Sequence, residues 1–469
     1  MSEFLDWDAV DLIAALRGGR LSAETVMQAT LARIAERNPA VNAIVDLRAD
    51  EELLAEARAA DAVPENERGK LHGLPIAIKA LADVKGTRNT QGSSLFADNI
   101  SAQDSRFVAL MREEGAIFIG KTNVPEFGLG SHSYNPVHGV TRNPYDHSRT
   151  AGGSSGGAAV ALATGMVALA DGSDMMGSLR NPAAWNNVYG FRPSWGVVPR
   201  EPGSESFWQQ LSTIGPMARS PRDMAVMLDV IAQPEGQVPF NMPAQDWELP
   251  EEGAASGRRI GWLGDWGGAM PMEGGVLELC RRGFEVLDGL GAELCDLAPP
   301  FEAEDMFQSW ADLRSFALAG ELAPLYADDT KRDRLKPEAQ WEVKRGMDMP
   351  AMDLHRATKV RSDWFAAAAR MFDTVDAVVL PVAQCWPFPA EWDWPKEISG
   401  AAMDTYHRWM QVMVPASLLG LPVVSVPVGF SAQGLPMGMQ IIGAKGADRT
   451  VLEIAQAYHK ATNWPEKRP

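Results

Sequence analysis

Short apolar runs of Val, Ile and Leu recur along this chain between stretches of helical period, and that alternation limits its fold more than any other feature. Runs at 74–78, 116–119, 260–263, 377–382, 423–428 and 437–442 have the length of strands. Stretches at 9–38, 51–62, 107–114, 158–170, 276–287 and 450–462 read as helices, the first divided in two at Gly18 and Gly19, with Ser22 and Glu24 marking a helix start. A chain of this pattern is expected to form an α/β fold, with a central mixed, twisted β-sheet covered by helices on both faces. The clearest compositional break, at 233–257, is rich in Pro, Glu, Gly and Ala and has no period. It reads as a surface connection inside a single large domain spanning 1–469.

The charge balance narrows the partners. Lys+Arg 43 against Asp+Glu 61 leaves a net charge of -18, which repels a polyanion, so nucleic acid is not expected to bind. Cys280, Cys295 and Cys385 show no CxxC spacing and are too few for a disulfide framework. The N-terminus lacks the basic and apolar segments of a secretion signal, and the apolar stretch 158–170 is too short to cross a bilayer. A cytoplasmic protein with no membrane partner is therefore expected. The 15 tryptophans are many for a globular chain and point to an aromatic core or an aromatic pocket.

Two short motifs need their context weighed. Gly115 to Thr122 fits the phosphate-loop pattern G-x-x-x-x-G-K-[ST], but its variable positions are themselves a strand and Pro125 obstructs the helix that should follow. Nucleotide binding is not expected there. Gly152-Gly-Ser154-Ser155-Gly156 fits G-x-S-x-G, the nucleophile elbow of α/β-hydrolases. That elbow needs an apolar strand before it, whereas 140–151 is polar and broken by Pro144. With His355, His407 or His459 as base, an esterase using Ser154 or Ser155 as nucleophile stays open as an alternative.

A third reading joins separated elements. Leu74-Pro-Ile-Ala-Ile-Lys79, Gly152-Gly-Ser-Ser-Gly-Gly157, Gly177-Ser-Leu-Arg180, Asn181-Pro-Ala-Ala184 and Gly190-Phe-Arg-Pro193 follow one another as in the amidase signature family, which the chain resembles. The resemblance is densest at about 74–200. Weaker likeness runs through Lys121-Thr-Asn-Val-Pro-Glu-Phe127 to Gly434-Leu-Pro-Met-Gly-Met-Gln440 and so spans nearly the whole chain.

The resemblance implies an amidohydrolase with Ser178 as nucleophile, Ser154 as proton relay after a cis peptide bond, and Lys79 as general base. The chemistry is consistent with the residues. A serine hydroxyl needs an adjacent base, and a lysine serves only when burial among apolar neighbours such as Ile76, Ile78 and Leu81 disfavours its charged form. The resemblance also places the backbone N–H groups of Met175, Met176, Gly177 and Ser178 at the oxyanion, and the loop carrying Leu129 at the substrate. Asp174 and Arg180 flank that turn as an expected ion pair. Glycine is usual in the family at 176 and a β-branched residue at 175, so the methionines are departures.

Variable segments of the second half carry Phe307, Trp310, Trp341, Trp386, Phe388, Trp392, Trp394 and Trp409, and an aryl or bulky apolar amide is the expected substrate. A small-molecule amide is the expected partner; a homodimer is compatible with everything in the sequence. No cofactor and no metal is implied. A glutaminase-type amidotransferase chain is a further alternative, opposed by the acidic charge and by the absence of aspartate at Ser212 and Thr213. A catalytically silent relative of the same fold is opposed by the intact Lys79, Ser154 and Ser178.

Overall fold

The computed structural model describes residues 3–203, 205, 207–208 and 210–469. Helices α1 (Ala9–Arg17) and α2 (Ala23–Val41) open the chain and part at the two glycines, where the Ser22 hydroxyl accepts the Thr25 N–H and caps α2. Three strands, β1 (Ile44–Val45), β2 (Pro75–Lys79) and β3 (Ile117–Thr122), form a small sheet in the order β1-β3-β2. Helix α3 (Asp50–Asp61) lies between β1 and β2, and α4 (Arg106–Glu113) lies between β2 and β3, which run parallel with Lys79 opposite Thr122. The strand that ends in Lys79 thus belongs to a sheet of its own, where the sequence suggested a single sheet.

The main elements that follow build the central sheet, cover it, and form a cap. They are α5 (Gly156–Ala163), β4 (Leu169–Asp174), α6 (Arg180–Trp185), β5 (Tyr189–Arg192), β6 (Thr213–Ala218), α7 (Pro221–Ile231), β7 (Arg259–Trp262), α8 (Val276–Gly289) and β8 (Glu293–Asp296). After these come α9 (Ala303–Tyr326), α10 (Pro337–Asp348), α11 (Ala351–Phe372), β9 (Ala377–Pro381), β10 (Val423–Phe430), β11 (Pro436–Gly443) and α12 (Asp448–Thr462). The eight strands lie in the order β8-β7-β9-β11-β10-β5-β6-β4, parallel among β8, β7 and β9 and antiparallel elsewhere, which makes the sheet mixed. Consecutive residues of β10 and β11 are buried, so both faces are covered, and α6, α8 and α12 pack on them.

One expected helix is divided. The apolar stretch 158–170 contains the end of α5, a turn, and the start of β4. The Thr164 hydroxyl donates to the Val160 carbonyl, and Gly165 takes φ +70°, a conformation that stops the helix. An unbroken run of Ala, Val and Leu has no period that separates helix from buried strand, so only those two residues carried the boundary. Segment 233–257 contains neither helix nor strand, and buried Trp247 and Leu249 pin it to the body. Among the described residues no helix is long and apolar enough to cross a membrane.

Helices α9, α10 and α11 pack together as a cap. A small apolar cluster of Leu129, Leu318, Leu322, Leu335, Ala339 and Val343 fastens this cap to the loop after Phe127. That junction brings the two halves of the chain to one cavity.

Candidate active site

Lys79 ends β2 with 1% of its surface exposed, and its backbone N–H donates to Asp171 Oδ1 on β4 at 2.9 Å. The side chain continues into the space between the small sheet and β4. There Nζ lies 2.9 Å from Ser154 Oγ, 2.8 Å from Ser155 Oγ, 2.9 Å from Ser173 Oγ and 3.3 Å from the Ser173 carbonyl. Burial lowers the pKa of Lys79 to about 7, against the opposing pull of Asp171 and Asp174. Burial likewise raises Asp171 to about 6. An amine with hydroxyls for partners can lose its proton at neutral pH; one paired with a carboxylate at bonding distance could not.

Ser154 follows a cis peptide bond from Gly153 and is buried. Gly152 stands at φ +75°, where a side chain would meet Asn181 at 2.6 Å, so glycine is required there. Gly156 N–H donates to Ser133 Oγ as α5 begins, and Ser155 N–H donates to the Ser178 carbonyl at 3.3 Å, tying the glycine loop to the turn after β4.

That turn is built on one buried carboxylate. Asp174 Oδ1 accepts the Gly177 N–H at 2.8 Å and Oδ2 accepts the Leu179 N–H at 3.2 Å. Arg180 holds both oxygens at 3.0 Å, Arg192 reaches Oδ1 at 3.1 Å, and all three side chains are fully buried. Burial alone pushes the Asp174 pKa up, but the two guanidiniums outweigh it and hold the carboxyl well below the usual range. The expected pair of Asp174 with Arg180 is therefore present, with Arg192 as a partner the sequence did not announce. Arg180 also donates to Gln440 and Ser417, which anchors the turn to the second half of the chain.

A cavity of about 160 Å³ opens beside these groups. Ser154, Ser173 and Ser178 line it together with Leu129, Met175 and Met176. Gly177 is not part of the wall. It sits at φ +89°, packed so closely on Met413 that a Cβ would lie 2.7 Å from its sulfur, and its N–H is taken up by Asp174. Met176 lies outside the left-handed region, so its side chain fits where the family usually has glycine.

Of the eight aromatic residues expected around the substrate, Trp310 alone lines this cavity. Trp409 stacks on Trp185 at 5.7 Å and Phe388 meets both rings edge-on, so these pack the core. Trp386 and Trp392 border a separate cleft, and Trp341 is 41% exposed. The wall instead recruits Phe127, Arg314 and His407, residues scattered too widely for sequence reasoning to assemble.

The motif alternatives fare differently. Gly115 to Thr122 is largely strand β3, and Lys121 Nζ donates to the Ala82 carbonyl. His459 faces Tyr189 OH at 3.1 Å, and Ser155 Oγ is a partner of Lys79. Among the described residues no group of three or more His, Cys, Asp or Glu side chains is arranged to hold a metal.

Comparison with known proteins gives the family. Residues 25–452 match the amidase family profile. An acylamidase of Rhodococcus erythropolis is 31% identical over 474 residues, covering 99% of this chain and 98% of its own. A glutamyl-tRNA(Gln) amidotransferase subunit of Symbiobacterium thermophilum is 34% identical over 480 residues, covering 96% of each chain. The crystal structure of a bacterial aryl acylamidase of the amidase signature family superposes with a TM-score of 0.91 at 27% identity, covering 99% of both chains.

Proposed function

Because this chain belongs to the amidase signature family and is a hydrolase of amide C–N bonds, we propose that it forms an acyl-enzyme on Ser178, with Ser154 as proton relay and Lys79 as general base. The observation that carries this reading is the Lys79 ammonium position, enclosed by three hydroxyls at 2.8–2.9 Å. A neutral amine has two N–H bonds and one lone pair. With the Ser173 carbonyl able only to accept, one N–H goes to it, one hydroxyl accepts the other, and a further hydroxyl points its proton at the lone pair.

If that hydroxyl is Ser154, its proton passes to Lys79 as it takes the proton of Ser178, whose oxygen attacks the carbonyl carbon. The proton then returns along the same path to the leaving nitrogen as the C–N bond breaks. Water, deprotonated by the same relay, cleaves the ester and restores Ser178. The developing oxyanion calls on the N–H groups of Met175, Met176 and Ser178, since that of Gly177 serves Asp174; one such donor is typically worth about 3 kcal/mol.

For the substrate, the walls formed by Leu81, Phe127, Leu129, Met176, Trp310 and Met410 favour an aryl or bulky apolar amide. A panel of amides tests this together with a fluorophosphonate label on Ser178. Anilides are expected to be turned over better than acetamide, and preference for acetamide overturns the substrate. Likeness to the amidotransferase of Symbiobacterium thermophilum favours a second reading, glutamine hydrolysis, which ammonia release from glutamine would reveal. Ser212 and Thr213, where that reading calls for an aspartate, weigh against it.

A further inference from the structure

Beyond the serines, the cavity has a polar end that the proposed mechanism leaves unused. Glu342 is fully buried on α10, and its Oε1 accepts Arg314 Nε at 2.7 Å and Tyr406 OH at 2.7 Å, while Oε2 accepts Ser315 Oγ at 2.6 Å. His407 Nε2 lies 2.7 Å from the same Oε1. Arg314 also reaches forward: Nη1 touches Met175 Sδ at 2.9 Å, next to the oxyanion turn, and its guanidinium lies 5.4 Å over the Trp310 ring. Trp310 and His407 meet edge to face at 5.1 Å, and both line the cavity.

Polar atoms there lack hydrogen bonds. Trp310 Nε1 and both ring nitrogens of His407 are buried and find no hydrogen-bond partner of good geometry among the described residues; Nε2 has the Glu342 carboxylate at 2.7 Å, whereas Trp310 Nε1 and His407 Nδ1 have no such neighbour. A buried polar group left without a partner costs about 1–3 kcal/mol, so two in adjoining residues that line one cavity call for an explanation. Their chemistry is complementary. The carboxylate beside Nε2 requires a proton on that nitrogen, which leaves Nδ1 of the neutral ring a bare acceptor, while indole Nε1–H is a donor only. Burial lowers the His407 pKa in spite of Glu342, in keeping with a neutral ring.

Charge decides the ligand class. Arg314 is committed to Glu342, and of the other ionisable walls Arg200 and Glu321 have opposite signs. With Arg314 held by Glu342 and Arg200 beside Glu321, the charges around the cavity compensate one another and offer an incoming ion little net attraction. A neutral group needs none.

We propose that Trp310 and His407 form a subsite for the acyl part of the amide, binding a neutral group that both accepts and donates a hydrogen bond, such as a hydroxyl. The acyl side is assigned because Arg314 joins this cluster directly to Met175 on the oxyanion turn. The assignment rests on the reading of Ser178 as nucleophile.

The test is a matched series of anilides, glycolyl against methoxyacetyl and 3-hydroxypropionyl against 3-methoxypropionyl, which keeps inductive effects nearly constant within each pair. The hydroxyacyl member of at least one pair is expected to have a kcat/KM about tenfold above its methyl ether. Trp310→Phe and His407→Phe should each shrink that ratio toward one, and His407→Asn, which retains an acceptor, should restore part of it. Ratios near one in the wild type, or ratios unchanged in both phenylalanine variants, overturn the subsite. Should His407→Phe fail to fold, the wild-type series and Trp310→Phe decide alone. Turnover without preference removes only the subsite; no turnover with Ser178 unlabelled by fluorophosphonate removes the mechanism beneath it, and the subsite with it.

Discussion

The turn after β4 and the cap of α9, α10 and α11 face the same cavity but are held in opposite ways. In the turn, Asp174, Arg180 and Arg192 have no exposed surface, and Asp174 binds two backbone N–H groups and two guanidiniums. In the cap, Trp341, Met352 and Phe365 are 41%, 61% and 46% exposed, and the inner face brings Trp310, Arg314, Leu318 and Glu321 to the cavity. The turn has a backbone fixed by buried charge, as the proposed stabilisation of an oxyanion demands. The cap presents side chains that, apart from Arg314 at Met175, can differ without touching that backbone. On the proposed mechanism, chemistry and selectivity belong to different parts of the chain, and substitutions in each should separate them.

Lys79→Met is the severest break. It removes the proposed base yet keeps an unbranched chain in a buried site, so folding should survive while kcat falls by at least roughly a thousandfold for every amide. Steady-state kinetics alongside thermal unfolding checks both halves. Substrate-dependent losses would show that selectivity reaches into the core.

Asp174→Asn should come next. Two buried guanidiniums would lose their countercharge, a change that typically costs about 3–5 kcal/mol, so the melting temperature and kcat should drop together. An unchanged melting temperature would mean that the turn is not held by charge. The pH dependence follows in size. With Lys79 brought from 10.5 to about 7 and active only when neutral, kcat/KM should rise about tenfold per pH unit below 7 and level off above. The sign for stability is the same: between pH 7 and 10.5 the unfolded chain holds a proton that the folded chain has released, so stability rises with pH across that window. A rate flat from pH 5 to 9 would remove Lys79 as the base.

Much of the turn, and little of the cap, was legible in the sequence. Lys79, Ser154 and Ser178 lie in motifs whose glycines have local reasons, such as φ +75° at Gly152 and φ +89° at Gly177. Asp171 and Ser173 went unread because Leu169–Asp174 is polar in its second half and does not look like a strand until β6 pairs with it. The small sheet was missed because β1 has two residues, too few to show any period. Counting aromatics misled for a physical reason: a ring that fills a core and a ring that lines a pocket have the same composition, and only packing separates Trp409 on Trp185 from Trp310 at the cavity. Arg314, Glu342 and His407 come from three separate elements and carry no motif, so the fold alone brings them together.

The smallest effect is the most delicate test of the division. Glu321 stands on α9, is exposed at the cavity rim, and shares that wall with Arg200 and Arg314. An exposed charge contributes at most about 1 kcal/mol, so Glu321→Gln should leave stability within about 0.5 kcal/mol of the parent. Its field still reaches an entering substrate. KM for an amide carrying a cationic amine should rise a few-fold, and KM for a neutral amide of equal size should stay unchanged. kcat should be the same for both, because the rim charge acts before the carbonyl meets Ser178. Raising the salt concentration should abolish the difference between the two substrates. A fall in kcat common to both would instead mean that the cap moves the donors of the turn, and the two regions would have to be treated as one device.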